Sequence, residues 1–84
     1  VNLVFTENGW DDYLYWQKQD AKKIERINEL LKDISRQPYK GIGKPEPLRG
    51  NLSGWWSRRI DTEHRLVYRV EDNQVIVLQC RYHY

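Results

Sequence analysis

The sequence predicts an α+β fold in which two N-terminal helices cover one face of a small twisted antiparallel β-sheet. Three observations carry this. Ile24, Ile27, Leu31 and Ile34 recur at spacings of three and four, the signature of a helix with one apolar stripe. Three runs rich in β-branched and aromatic residues follow in the second half of the chain, separated by short polar turns. Between the two halves, Gly and Pro are too dense for extended regular structure. With 84 residues the chain has room for one core, so residues 1–84 are read as a single domain.

Val1 to Phe5 is a short apolar run that reads as a strand. Thr6 is placed to cap a helix over Glu7 to Gln19, and Asp20 to cap a second over Ala21 to Ser35. No Gly or Pro separates the two helices, so they are expected to be nearly contiguous and sharply angled at Asp20. From Gln37 to Gly54 the sequence holds Pro38, Gly41, Gly43, Pro45, Pro47, Gly50 and Gly54, which predicts a long loop. Loops of that length in so small a domain tend to carry function.

Strands are expected over Trp55 to Ile60, His64 to Val70 and Val75 to Tyr82, joined as an antiparallel meander by turns at Asp61 to Glu63 and near Asp72 and Asn73. A two-residue second turn would group Leu66, Tyr68 and Val70 with Gln79 and Arg81. A three-residue turn groups them with Ile76, Leu78, Cys80 and Tyr82, and register follows the buried face, so the three-residue turn is expected. Trp56 and Ile60 then join the core. Arg59, Arg65, Arg69, Gln79, Arg81 and His83 project from the other face.

Composition excludes several classes. The longest aliphatic run is Val75 to Leu78, far short of the roughly 20 apolar residues of a membrane span. No apolar stretch follows a basic start, so no signal peptide is expected. One cysteine, Cys80, allows neither an internal disulfide nor a multi-Cys zinc site, and the expected location is a reducing cytoplasm. The net charge of +2 hides an asymmetry: residues 1–35 carry five Lys/Arg against seven Asp/Glu, and residues 36–84 carry nine against five. The basic half favours Arg, whose planar donor fork matches phosphate.

Glu46 is the one acidic residue between Asp33 and Asp61, held between two prolines in Lys44-Pro45-Glu46-Pro47. A rigid carboxylate beside an Arg-bearing sheet could serve as a general base, although an ordinary surface ion pair is the commoner use of such a residue. His83 suits a proton donor, or is a frayed terminal residue, with Tyr82 and Tyr84 giving the tail apolar area to dock. Arg59 and Arg65 on neighbouring strands, with Lys44 and Arg49 from the loop, suit a phosphodiester. Arg58, Arg69 and Lys40 read as a water-screened basic surface. His64 and Cys80 fall on the apolar set and read as structural. No phosphate loop, nucleophile elbow or metal triad occurs, so no metal or cofactor is expected.

Several segments together resemble the YoeB family of toxins, within the RelE-like superfamily of ribosome-dependent mRNA endonucleases. They are Trp10-Asp11-Asp12-Tyr13, Lys44-Pro45-Glu46-Pro47-Leu48, Asn51-Leu52-Ser53-Gly54, Trp56-Ser57-Arg58-Arg59-Ile60, Glu63-His64-Arg65-Leu66-Val67-Tyr68 and Cys80-Arg81-Tyr82-His83-Tyr84. The resemblance implies a RelE-like, microbial-ribonuclease-like fold and a metal-independent endoribonuclease that cuts mRNA in the ribosomal A site. It implies Glu46 as general base, His83 as general acid, Arg65 on the phosphate and Tyr84 completing the site, with Arg59, Arg49, Lys44 and Arg81 as RNA-binding cations. Arg49 and Gly50 depart from the family pattern, which has Lys at position 49. The resemblance further implies a YefM-like antitoxin with a disordered C-terminal segment, a homodimer, and contact with operator DNA only through the antitoxin complex. A different class remains open: a basic binding or regulatory module that occupies nucleic acid without cutting, for which Glu46 and His83 are unnecessary.

Overall fold

The computed structural model describes all residues from Val1 to Tyr84. The elements are strand β1 (Asn2–Phe5), helices α1 (Glu7–Gln19) and α2 (Ala21–Arg36), a two-residue strand β2 (Glu46–Pro47), a single 3₁₀ turn (Gly50–Leu52), and strands β3 (Trp56–Arg59), β4 (Arg65–Glu71) and β5 (Gln74–Gln79). The five strands form one sheet in the order β1-β5-β4-β3-β2. The α+β class and the β3-β4-β5 meander are as the sequence predicts. The sheet is mixed, because β1 pairs parallel with β5. β1 leads directly into the helical layer and the chain re-enters the sheet at the opposite edge, so its direction is set by a helical crossover rather than a hairpin.

Both helices start on the expected caps. The Thr6 hydroxyl oxygen accepts from the Gly9 amide at 3.0 Å and donates to the Leu78 carbonyl at 2.9 Å, tying the start of α1 to β5. Gly9 faces the same strand, where a Cβ would stand 2.5 Å from the Val77 carbonyl oxygen. Asp20 closes one helix and opens the next: its N–H donates to Trp16 O at 2.8 Å and its carboxylate accepts from the Lys22 amide at 3.0 Å. The apolar stripe of α2, Ile27, Leu30, Leu31 and Ile34, packs with Leu66, Tyr68, Val75, Val77 and Cys80, and Trp16 of α1 completes that core.

The register of the second hairpin corrects the expectation. Glu71 pairs with Gln74, so Asp72 and Asn73 form a two-residue turn, both left-handed with φ of 50° and 59°. Asp and Asn tolerate that conformation, and the resulting turn twist suits a hairpin. The buried face survives because a bulge opposite Val67 and Tyr68 inserts Leu78 into β5 and switches its parity. Val75, Val77 and Cys80 therefore face the core, Ile76 and Leu78 are half-buried, and Tyr82 is exposed. The same Leu78 carbonyl receives Thr6, so the bulge and the α1 cap are one joint.

The Gly- and Pro-rich loop is also more ordered than its composition predicts. Glu46 pairs with Ser57 and Pro47 with Trp56, which adds β2 at the sheet edge, the place where a residue lacking an N–H is tolerated.

Candidate active site

Pairing decides which side chains meet. Glu46 lies directly opposite Ser57, and Ser57 opposite Val67, so all three share one face. Two residues along β3 from Ser57, Arg59 lies opposite Arg65 on that same face. The result is an open cleft of about 470 Å³. Its floor is Ser57, Arg59 and Arg65, its rim is Lys44, Pro45, Glu46 and Pro47, and its far wall is His83 and Tyr84.

The rim is positioned by a tight turn of backbone. Gly43 has φ of 80° and a Cβ there would stand 2.8 Å from Leu30 Cδ2, while its carbonyl accepts from the Arg59 amide at 2.7 Å. Lys44 also adopts a left-handed φ of 53°. The pair sharply redirects the chain so that Glu46 enters the sheet edge.

The tail is docked rather than frayed. Trp16 Nε1 donates to Cys80 O at 2.8 Å, and Asp12 accepts from the Cys80 amide at 3.0 Å. The Tyr82 amide donates to His64 Nδ1 at 2.7 Å and the Arg65 amide to Tyr82 O at 3.0 Å. The Tyr84 hydroxyl donates to Glu46 Oε1 at 3.0 Å and accepts from Ser57 Oγ at 3.4 Å. His83 stacks on Tyr84 with ring centroids 4.6 Å apart, its Nδ1 lying 3.2 Å from the Tyr84 main-chain oxygen.

Arg65 is the distinctive group of the cleft. It is 9% exposed, and Nη1 donates to the carbonyls of Asp61 at 3.0 Å and His64 at 3.2 Å. No carboxylate pairs with it, nor with Arg59. A nearly buried guanidinium without an anionic partner leaves charge available to a ligand.

Of the cations expected to contact RNA, Lys44 and Arg59 line the cleft and two others do not. Arg49 is exposed at the start of the 3₁₀ turn. Arg81 is clamped between the rings of Tyr15, 3.5 Å from its centroid, and Tyr82, at 4.4 Å. β5 ends at Gln79, so the strand alternation that would aim Arg81 at the cleft stops short of it, and Arg81 lies against Tyr15 of α1 instead.

Arg58 overturns its reading as a screened surface charge, because it is fully buried. Its Nη1 meets Asp33 Oδ2 at 2.6 Å and the Ile42 carbonyl at 3.1 Å. Nη2 donates to the carbonyls of Gln37 at 2.6 Å and Lys40 at 2.9 Å, and Nε to the Tyr68 hydroxyl at 3.2 Å. Tyr68 in turn donates to Pro38 O at 2.6 Å. One guanidinium thus fixes the segment from Gln37 to Ile42 that delivers Glu46. The signal was present in the sequence: Arg58 shares the parity of Trp56 and Ile60, and Asp33 sits three residues after Leu30 on the apolar side of α2.

Hydrogen bonds from Gln37, Arg58, the Ile42 amide and Arg36 hold the Asp33 carboxyl well below the usual carboxylate range. Burial raises Asp61, but the His64 amide, Lys23 and the Glu63 amide outweigh it and bring Asp61 to about 2. Burial pushes the Cys80 thiol up to about 12, consistent with inert packing. Both aspartates have folded values below the unfolded value of about 4, so each contributes stability above that pH and loses it as the carboxyl protonates. Denaturant titrations should show stability falling from pH 4 towards about 2, with a shallower slope in Asp61→Asn. An unchanged slope would mean that the Asp61 contacts persist unfolded.

No group of three His, Cys, Asp or Glu side chains is placed to hold a metal ion, and no helix is long and apolar enough to cross a membrane. Two helices packed on a five-stranded mixed sheet are the fold of the RelE-like toxins. The profile of the YoeB-like toxins of bacterial type II toxin-antitoxin systems matches residues 5–84. Toxin YoeB of Escherichia coli K12 is 57% identical over 84 residues, covering both chains completely. Among solved structures, a YoeB/ParE toxin from Agrobacterium tumefaciens superposes with a TM-score of 0.98 at 51% identity, again over the whole of both chains. YoeB of Staphylococcus aureus matches at 50% identity over all of this chain and 98% of its own, with TM-scores of 0.93 in a heterotetrameric YoeB-YefM complex and 0.94 as a YoeB dimer. The chain belongs to the YoeB-like toxin family of type II toxin-antitoxin systems.

Proposed function

We propose that the protein is an endoribonuclease that cleaves mRNA in the ribosomal A site and thereby arrests translation. The observation that carries this reading is the convergence of Glu46, His83 and Tyr84 on the unpaired guanidinium groups of Arg59 and Arg65. RNA brings its own nucleophile, the 2′-hydroxyl, so cleavage needs a base, an acid and cations, and no metal. Glu46 removes the 2′-hydroxyl proton as that oxygen attacks phosphorus. Arg65 and Arg59 balance the charge that develops on the pentacoordinate phosphate, with Lys44 at the rim. The bond to the 5′-oxygen breaks as His83 supplies its proton, and Tyr84 orients Glu46. The products are a 2′,3′-cyclic phosphate, which water can open to a 3′-phosphate, and a 5′-hydroxyl. Arg49 meets RNA outside the cleft, and Arg81 serves to anchor the tail.

The regulatory setting follows from the family. The S. aureus relative pairs with YefM and also forms a dimer. By similarity this toxin is neutralised in the cytoplasm by a YefM-like antitoxin, forms a homodimer, and reaches operator DNA only within the antitoxin complex. Purified protein added to translating ribosomes should create new mRNA ends within A-site codons. Arrest of translation with the message intact would instead favour a module that binds without cutting.

A further inference from the structure

We infer that His64 is a positioning residue for the cleft, holding the tail that carries His83 and Tyr84 through a hydrogen bond to the Tyr82 amide. The inference deepens the ribonuclease reading and rests on it. Tyr82 has φ of 66°, a left-handed conformation rare for a bulky side chain. Such a residue persists only where its surroundings over-determine it. Here both of its main-chain groups are held by one short segment: its N–H donates to His64 Nδ1 at 2.7 Å, and its carbonyl accepts from the Arg65 amide at 3.0 Å. The bend redirects the chain immediately before His83.

The His64 ring is itself fixed. Its side chain is largely buried, and it stands edge-on to Trp16 with centroids 4.8 Å apart. Because Nδ1 accepts, the neutral ring carries its proton on Nε2, which lies 3.6 Å from Glu63 Oε1. The His64 amide is held by Asp61 Oδ1 at 2.6 Å, and its carbonyl receives Arg65 Nη1 at 3.2 Å. One residue therefore ties the proposed acid to the proposed phosphate cation: its main chain places the Arg65 guanidinium, and its imidazole places the bend before His83. Small displacements of reacting groups cost rate steeply, by about 10²-fold for 1 Å.

Two substitutions separate the hydrogen bond from the packing. Asn places an acceptor oxygen near the position of Nδ1, while Leu fills the space beside Trp16 and accepts nothing. In His64→Leu, amide exchange at Tyr82 should speed up by about tenfold, the equivalent of one lost buried hydrogen bond. Its kcat on ribosome-bound message should fall by about 10²-fold with KM unchanged. His64→Asn should restore both. Equal exchange and equal kcat in the Leu and parental proteins, or an Asn variant no better than Leu, would overturn the inference. Absence of cleavage by the parental protein would sink the ribonuclease reading alone, and Tyr82 exchange in the two variants would still decide the contact.

Discussion

Replacing Glu46 or His83 with Ala is expected to lower cleavage of ribosome-bound message by roughly 10²- to 10⁴-fold, the usual contribution of a general base or acid. Thermal stability should barely change, because both side chains are exposed and lie outside the apolar core. Binding to the ribosome should persist. The two variants differ in one respect that makes the test sharper. Glu46→Ala also frees the Tyr84 hydroxyl from its carboxylate partner, whereas His83→Ala leaves that contact and removes only the ring stacked on Tyr84. Single-turnover cleavage by each variant checks the assignment, and a parental rate in either removes that residue from the mechanism.

The largest effect on folding should come from Arg58→Met. Removing one partner of a buried ion pair leaves the other charge uncompensated, a loss of about 3–5 kcal/mol. In that variant the Asp33 carboxylate would keep its Arg36, Gln37 and Ile42 contacts but lose the guanidinium. In a simple buried pair, replacing both charges by apolar groups restores stability. Here it should not, because Arg58 also satisfies the carbonyls of Gln37, Lys40 and Ile42, and these would remain without donors. Urea unfolding of Arg58→Met and of the Asp33→Leu/Arg58→Met double variant measures both expectations. Recovery in the double variant would reduce Arg58 to an ordinary ion pair.

Local signals carried much of this structure. Thr6 and Asp20 were legible as caps because capping is decided within three residues, and the α2 stripe because its spacing is regular. The β4–β5 register was not, since the alternation along Val75 to Tyr82 is broken by the Leu78 bulge, and the residue that satisfies the bulge, Thr6, lies at the other end of the chain. Glu46 stood out through its prolines, but its meeting with Ser57 depends on a two-residue edge strand too short to leave a pattern. Arg58 was misread because type outweighed position: an arginine suggests surface, while its parity with Trp56 and Ile60 pointed inward. Arg81 leaves the cleft for another reason: β5 ends at Gln79, and the alternation that would carry Arg81 to the cleft face ends with it.

In the proposed mechanism the scissile bond is broken by the RNA's own 2′-hydroxyl, activated by Glu46. This is tested most directly with a message carrying one 2′-deoxynucleotide immediately 5′ of the scissile phosphate. That message keeps its phosphate contacts and lacks its nucleophile. It is expected to enter the A site and stay intact, while the all-ribose message yields a 2′,3′-cyclic or 3′-phosphate end and a 5′-hydroxyl. Cutting of the deoxy-substituted message at the parental rate, or ends bearing a 3′-hydroxyl and a 5′-phosphate, would mean that water attacks phosphorus, and would contradict the roles given to Glu46 and His83 together.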